Sequence, residues 1–178
     1  MSHDSLPPAL CLSAPPEVAF CSRCGGKMET RQKWDKLRRV CVDCGFIHFT
    51  DPKVGVGVAV MQEGKILLVR RRMNPGIGKW SLPAGFVDYG EDPQETAVKE
   101  ALEETNLHVE IESLMDVYHN PIDKSGGASI FILYQANLLG GTPQAGDDAD
   151  AVGFFALDNL PDIAFASTHD AIARLHKT

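Results

Sequence analysis

Four cysteines fall into two Cys-x-x-Cys-Gly pairs, Cys21-Ser-Arg-Cys24-Gly and Cys41-Val-Asp-Cys44-Gly. No other feature restricts the fold of the chain as tightly. Each pair predicts a tight turn whose backbone amides point at thiolate sulfur. Two such knuckles supply four soft ligands, the tetrahedral set that zinc prefers. Residues 20–50 around them are poor in apolar side chains and too few to bury a self-sufficient core, so metal binding has to supply the folding free energy. A structural zinc ribbon with ligands Cys21, Cys24, Cys41 and Cys44 is the reading. Redox-active pairs are the weaker alternative, because redox Cys-x-x-Cys motifs usually come singly within a βαβ pattern. Four thiolates leave no open coordination position for water, which excludes a catalytic zinc. The fifth cysteine, Cys11, lies in a proline-containing stretch, residues 1–19, read as a flexible tail carrying a free thiol.

The remaining residues, 51–178, are enough for one ordinary domain. No apolar run approaches the roughly 18 residues that cross a bilayer. Residues 1–16 lack a basic segment followed by an apolar one, so the expectation is a cytoplasmic protein with no membrane partner. The net charge of −7 argues against nucleic acid as a partner through bulk electrostatics. Arg31, Lys33, Lys36, Arg38 and Arg39 in the cysteine module offer nucleic-acid contact as one reading, with a solvated basic face preferred over it. An acidic chain still binds phosphates where metal ions carry the positive charge locally.

Within 51–178, Val54–Met61 and Lys65–Arg70 read as strands joined by a turn at Gln62-Glu63-Gly64. Trp80–Val87 is a short extended piece broken by Pro83 and Gly85. Leu107–Tyr118, Ala128–Leu139 and Val152–Leu157 are further strands, the first two flanking a loop at 120–127. Helices are expected over Pro93–Thr105 and Thr168–His176. This pattern predicts an α+β fold, a mixed sheet with helices packed on its faces.

The first of those helices carries chemistry. Asp92 precedes Pro93 as an N-cap with proline at the first helical position, and Glu95 completes a capping-box pattern. Ala97, Ala101 and Leu102 make a narrow apolar stripe. Asn106 stands where a left-handed terminal residue is needed. Glu100, Glu103 and Glu104 fall within an arc of roughly 100° on one face. Crowded like charges near the negative end of a helix dipole are costly, and a divalent cation removes the cost. An ordinary acidic surface helix is the competing reading of those three residues taken alone.

The stretch from Gly85 to Leu107 resembles the Nudix box, G-x5-E-x7-R-E-U-x-E-E-x-G-U with U a bulky aliphatic residue. Gly85, Glu91, Glu100, Glu103, Glu104 and Leu107 match in register. Lys99 replaces the arginine, Ala101 an aliphatic and Asn106 the glycine. Trp80-Ser-Leu-Pro-Ala, Leu67–Arg71 and Phe154–Pro161 resemble the family's flanking segments, so the likeness covers 51–178. It implies a Nudix α/β/α sandwich preceded by the zinc ribbon. It also implies an enzyme that hydrolyses a diphosphate bond in a nucleoside diphosphate linked to another moiety, with Mg²⁺ or Mn²⁺. By the same resemblance Glu100 and Glu104 are metal ligands, joined by Glu103 and the Ala84 carbonyl. Glu91 orients them, held in the family by the arginine that Lys99 replaces. The general base is Glu103 or a later carboxylate among Asp147, Asp148 and Asp150, with Asp148 favoured.

Arg70, Arg71 and Arg72 are candidates for substrate phosphates or sugar, and Trp80, Phe86 and Tyr89 for stacking on a base or flavin, with core packing the preferred role for Phe86. A ribbon ahead of a Nudix domain is similar to two subgroups, the NADH pyrophosphatases and a group of ADP-ribose and FAD pyrophosphatases. The former carry a Ser-Gln-Pro-Trp-Pro-Phe-Pro array where this chain has Tyr118-His-Asn-Pro-Ile-Asp-Lys. ADP-ribose or FAD, releasing AMP, is therefore the expected substrate. NADH pyrophosphatase and a non-catalytic Nudix-fold ligand sensor are the alternatives, and the resemblance also implies a homodimer.

Overall fold

Strand β4 (Lys53–Gln62) turns through Glu63 and Gly64 into β5 (Lys65–Arg71), and this hairpin organises the larger part of the chain. The two strands pair only beside the turn, at Met61↔Ile66 and Gln62↔Lys65. Beyond that they diverge and recruit different neighbours. β4 runs parallel to β9 (Ser129–Gly141), which pairs antiparallel with the long edge strand β8 (Leu107–Asn120). β5 pairs antiparallel with β10 (Ala149–Ala156). The order is β10-β5-β4-β9-β8, a mixed sheet. The extended piece around Pro83 divides between the two halves. β6 (Trp80–Ser81) pairs with β5, and β7 (Ala84–Phe86) pairs with β4.

These are features of a computed structural model, which describes residues 17–120 and 129–176. The expected tail up to residue 16, with Cys11, lies outside the described residues, as does the loop from residue 121 to 128. The described chain divides between Asp51 and Pro52 into two compact units.

Alternation along the strands builds two cores. Val56, Val58, Val60 and Leu67 face α1 (Pro93–Thr105) and pack with Ala97, Ala101, Leu107 and Val109. Ala59, Ile66, Leu68 and Leu133 face the opposite way and pack with Leu82, Ile163, Ala171 and Ile172, the last two on α2 (Ala166–Leu175). One helix thus covers each face of the sheet, the expected α+β arrangement. No helix among the described residues is long and apolar enough to cross a membrane.

The smaller unit holds a three-stranded antiparallel sheet: β1 (Met28–Lys33), β2 (Lys36–Cys41) and β3 (Ile47–His48), in that order. Its two cysteine knuckles have the same backbone bonding. Gly25 N–H donates to the Cys21 carbonyl and Gly45 N–H to the Cys41 carbonyl. Both glycines sit at positive φ, 75° and 72°, a conformation with no Cβ penalty for glycine.

Two sequence expectations fail on side-chain placement. Leu102 is 38% exposed and leaves the apolar stripe, which consists of Ala97 and Ala101 with Thr105 beneath. Phe86 is 56% exposed, with the Lys53 ammonium 4.7 Å from its ring centre, and is not core. It lies on a three-residue strand against β4, so its face is set by a long-range pairing rather than by local pattern.

Candidate functional site

α1 begins and ends as its sequence dictates. The Asp92 carboxylate accepts from the amides of Gln94 (2.8 Å) and Glu95 (3.2 Å). Asn106 takes the left-handed conformation, φ 57°, and its amide closes on the Leu102 carbonyl at 2.8 Å. The carboxylates are thereby held in fixed rotation about the helix.

Small residues at 97 and 101 let α1 sit close on the sheet, and this closeness buries Glu104 to 7% exposure. Its Oε2 accepts the Ala84 amide at 2.9 Å. Burial pushes the Glu104 carboxyl up to about 7. The Ala84 amide and the Arg71 charge oppose that rise, while the charges of Glu100 and Asp147 add to it. Glu100 lies one turn earlier, against Gly85, where a Cβ would overlap its carboxyl group. Glycine at 85 is therefore a matter of space. The Glu100 carboxyl is also raised, first by burial and then by the neighbouring Glu103 charge. Glu103 is exposed at the rim.

Glu91 is held from three sides. Its Oε2 accepts the Asp88 amide at 3.1 Å and lies 3.1 Å from the Thr96 hydroxyl, while Lys99 Nζ stands 3.8 Å from Oε1. The Asp88 and Thr96 hydrogen bonds, then the Lys99 charge, pull its carboxyl down despite some burial. Lys99 thus takes the box arginine's position as a single long contact.

The segment before β10 straps the C-terminal end of α1. Gln144 N–H donates to the Thr105 carbonyl (2.9 Å) and Gly146 N–H to the Glu104 carbonyl (3.1 Å). Carbonyls that a helix end leaves unpaired are satisfied in this way. The strap delivers Asp147, at φ 47°, so that its charge acts on both Glu100 and Glu104. Its neighbours are placed differently. Asp148 is exposed and its carbonyl accepts the Arg72 amide, whereas the Asp150 carboxylate is paired with Arg70 at 2.6 Å. Sequence analysis places Asp147 among three acids and favours Asp148, because the strap that sets their positions is a long-range contact.

Of the three arginines, Arg71 is the one whose charge reaches Glu104; its Nε donates to the Pro75 carbonyl at 2.7 Å and its guanidinium lies over Phe165. Arg70 lies over the Trp80 ring, which meets Phe155 edge-on at 4.6 Å. The side chain of Arg72 is exposed.

Acidic oxygens with burial-raised carboxyls and too little opposing charge suit a hard divalent cation. The carboxylates are nevertheless more spread than the thiols. Among the described residues, the four cysteines are the set whose ligand atoms all lie within 4.8 Å of one another. The Sγ separations of 3.3, 3.5 and 3.8 Å compare with an edge of about 3.8 Å for a tetrahedron built on zinc–sulfur bonds of roughly 2.3 Å. The four thiols fit a tetrahedral ion.

Residues 51–175 match the NUDIX domain. The chain belongs to the NUDIX family. The ADP-ribose pyrophosphatase of Methanocaldococcus jannaschii is 41% identical over 117 residues, 66% of this chain and 69% of that protein. A NAD-capped RNA hydrolase of Vibrio atlanticus is 27% identical over 153 residues; they make up 85% of this chain but 54% of that relative, so the chain spans about half its length. Among solved structures, a NUDIX hydrolase from Nitrosomonas europaea superposes with a TM-score of 0.81 at 36% identity, covering 90% of this chain and 91% of that one. Membership makes the chain a Nudix pyrophosphohydrolase of nucleoside diphosphate-linked substrates.

Proposed function

We propose that this Nudix hydrolase cleaves the diphosphate bridge of ADP-ribose or FAD and releases AMP, with Mg²⁺ or Mn²⁺ at the carboxylate face of α1. The observation that carries the reading is the pairing of Glu100 under Gly85 with Glu104 under Ala84, both carboxyls raised first by burial and then by neighbouring acids. The similarity to an ADP-ribose pyrophosphatase supports the substrate class.

Glu100, Glu103 and Glu104, with the Ala84 carbonyl, would hold the ion. When bound it would neutralise the anionic diphosphate oxygens and lower the pKa of a water. The chain's own groups do the rest. Glu91, fixed by Asp88, Thr96 and Lys99, orients the acidic face. Glu103, or a carboxylate of the strap, takes the proton from the attacking water. Asp147 is a stronger strap candidate than the sequence-favoured Asp148, because its charge already acts on Glu100 and Glu104. Arg70, Arg71 and Arg72 offer guanidinium groups to phosphate or sugar, and Trp80 offers a ring face beside Arg70.

Residues 51–178 form the Nudix domain in this reading, 20–50 a ribbon holding structural Zn²⁺ on Cys21, Cys24, Cys41 and Cys44, and 1–19 a tail. A reducing cytoplasmic setting keeps those thiols available to the metal. A homodimer completes the proposal.

The test is a substrate panel on the full chain: ADP-ribose, FAD, NADH, dinucleoside polyphosphates and nucleoside triphosphates, each with Mg²⁺ and with Mn²⁺. AMP release from ADP-ribose or FAD in preference to the others is expected. Preference for NADH would move the reading to the alternative subgroup. A folded protein inactive on all of them would support the ligand-sensor reading instead.

A further inference from the structure

The cysteine module carries a face that its folding does not explain. In the register of β1 on β2, Arg31 stands opposite Arg38 and Lys33 opposite Lys36. Side chains two apart on a strand share a face, so all four cations lie on one side of this hairpin. Like charges directly across a ladder repel, and two such pairs follow one another. Glu29 answers only Arg31, at 3.0 Å. Among the described residues neither lysine has a carboxylate partner. Arg39, by contrast, points to the other face and is consumed structurally, donating to the carbonyls of Val18 and Met28.

The cations are interleaved with aromatics. Trp34, at the hairpin tip, and Phe49, just after β3, are 69% and 51% exposed. Their rings are stacked, 26° from parallel with centres 6.3 Å apart. The Arg38 guanidinium lies 4.8 Å from the Phe49 centre and 5.7 Å from that of Trp34. Large exposed rings are held in place without being buried.

Charge along the chain is unequally divided. Residues 20–50 hold seven lysines and arginines against three acids, although the whole chain carries −7. The sequence preference for a solvated basic face rests on that total, to which residues 51–178 contribute most of the acids. Cations tracking a backbone beside aromatic faces that stack bases are the two components of a single-strand binding surface.

We propose that the Trp34–Phe49 platform and the Arg31, Lys33, Lys36 and Arg38 face bind a single-stranded oligonucleotide, with a base stacked on the rings and adjacent phosphates on the cations. This does not depend on the substrate proposed above, and binding is read without turnover.

The experiment uses the full zinc-loaded chain with fluorescein-labelled oligouridylate and oligothymidylate of about 12 nucleotides. Anisotropy is followed over a salt series. Micromolar binding at low salt is expected, with log K falling against log salt at a slope of roughly −2 to −3, about −0.7 for each phosphate contact. Trp34→Ala should weaken binding about tenfold through lost stacking. The pair Lys33→Glu and Lys36→Glu should weaken it further and flatten the slope. Both variants should keep their zinc and their hydrolysis of ADP-ribose. A response to uridylate alone or thymidylate alone identifies which strand is preferred, and either supports the proposal. No binding at low salt, or equal binding by wild type and both variants, would overturn it. Binding to phosphatidylglycerol vesicles with none to either oligonucleotide would also overturn it, in favour of a lipid surface.

Discussion

Glu104→Gln should make the Mg²⁺-free protein more stable while destroying its activity. Glu104 is 7% exposed and its carboxyl is pushed from an ordinary 4.5 up to about 7. A tenfold change in an acid's dissociation constant corresponds to about 1.4 kcal/mol, so the ionised side chain costs the metal-free fold about 3 kcal/mol above pH 7. The folded pKa lies above the unfolded one. The cost is therefore absent below about pH 4.5, grows as pH rises, and is complete once pH passes 7. Glutamine keeps the acceptor for the Ala84 amide and puts an amide donor in place of the second carboxylate oxygen. Allowing about 1 kcal/mol for imperfect satisfaction of that donor leaves a gain of about 2 kcal/mol. The assay is urea denaturation of both proteins, followed by circular dichroism in Mg²⁺-free buffer near pH 5 and near pH 8. The comparison between variants cancels any contribution from the cysteine module. Similar midpoints near pH 5 and a higher midpoint for the variant near pH 8 are expected. Millimolar Mg²⁺ should close the gap, because the ion stabilises the wild type alone. Equal midpoints near pH 8 in the absence of Mg²⁺ would refute the reasoning, since Glu104 would then not be an uncompensated buried acid.

Four further outcomes follow from the same geometry. Lys99→Arg should replace the single 3.8 Å contact to Glu91 by a forked one and lower the Mg²⁺ concentration for half-maximal rate a few-fold; an unchanged value would mean Asp88 and Thr96 alone fix Glu91. Gly85→Ala should drive the Glu100 carboxyl from its place and remove most of the activity at little cost in denaturation, because the overlap is with the movable end of a side chain; a large loss of stability would mean the carboxyl has nowhere to go. Asp147→Asn should slow turnover by roughly 10- to 100-fold while Asp148→Asn does little, as measured by AMP release; the reverse ranking would restore Asp148. Cys44→Ser should abolish the single zinc per chain expected by elemental analysis and unfold residues 20–50, visible as lost protection in hydrogen exchange.

Local chemistry made α1 legible in advance. Asp92, Pro93 and Asn106 mark its ends, and capping acts within one turn. The cysteine knuckles were legible for the same reason, since each is closed by bonds spanning only a few residues. Leu102 could have been placed better, for at 100° per residue it lies a full 100° round from Ala101 and 140° from Ala97. Phe86 could not, because a three-residue strand takes its orientation from β4, some thirty residues earlier. Asp147 was beyond reach for a similar reason: its position depends on amides of the strap meeting carbonyls at the end of α1 some forty residues before it. The basic face was legible as a run of cations, but its pairing with the Trp34 and Phe49 rings was not, because those rings meet only through the fold of the module.

The most direct test of the account is Mn²⁺ binding to the full chain by electron paramagnetic resonance, comparing wild type with the double variant Glu100→Gln, Glu104→Gln. Loss of the free-ion signal with wild type and its persistence with the double variant is the expected result. Equal binding by both proteins would contradict the assignment of the catalytic ion to α1.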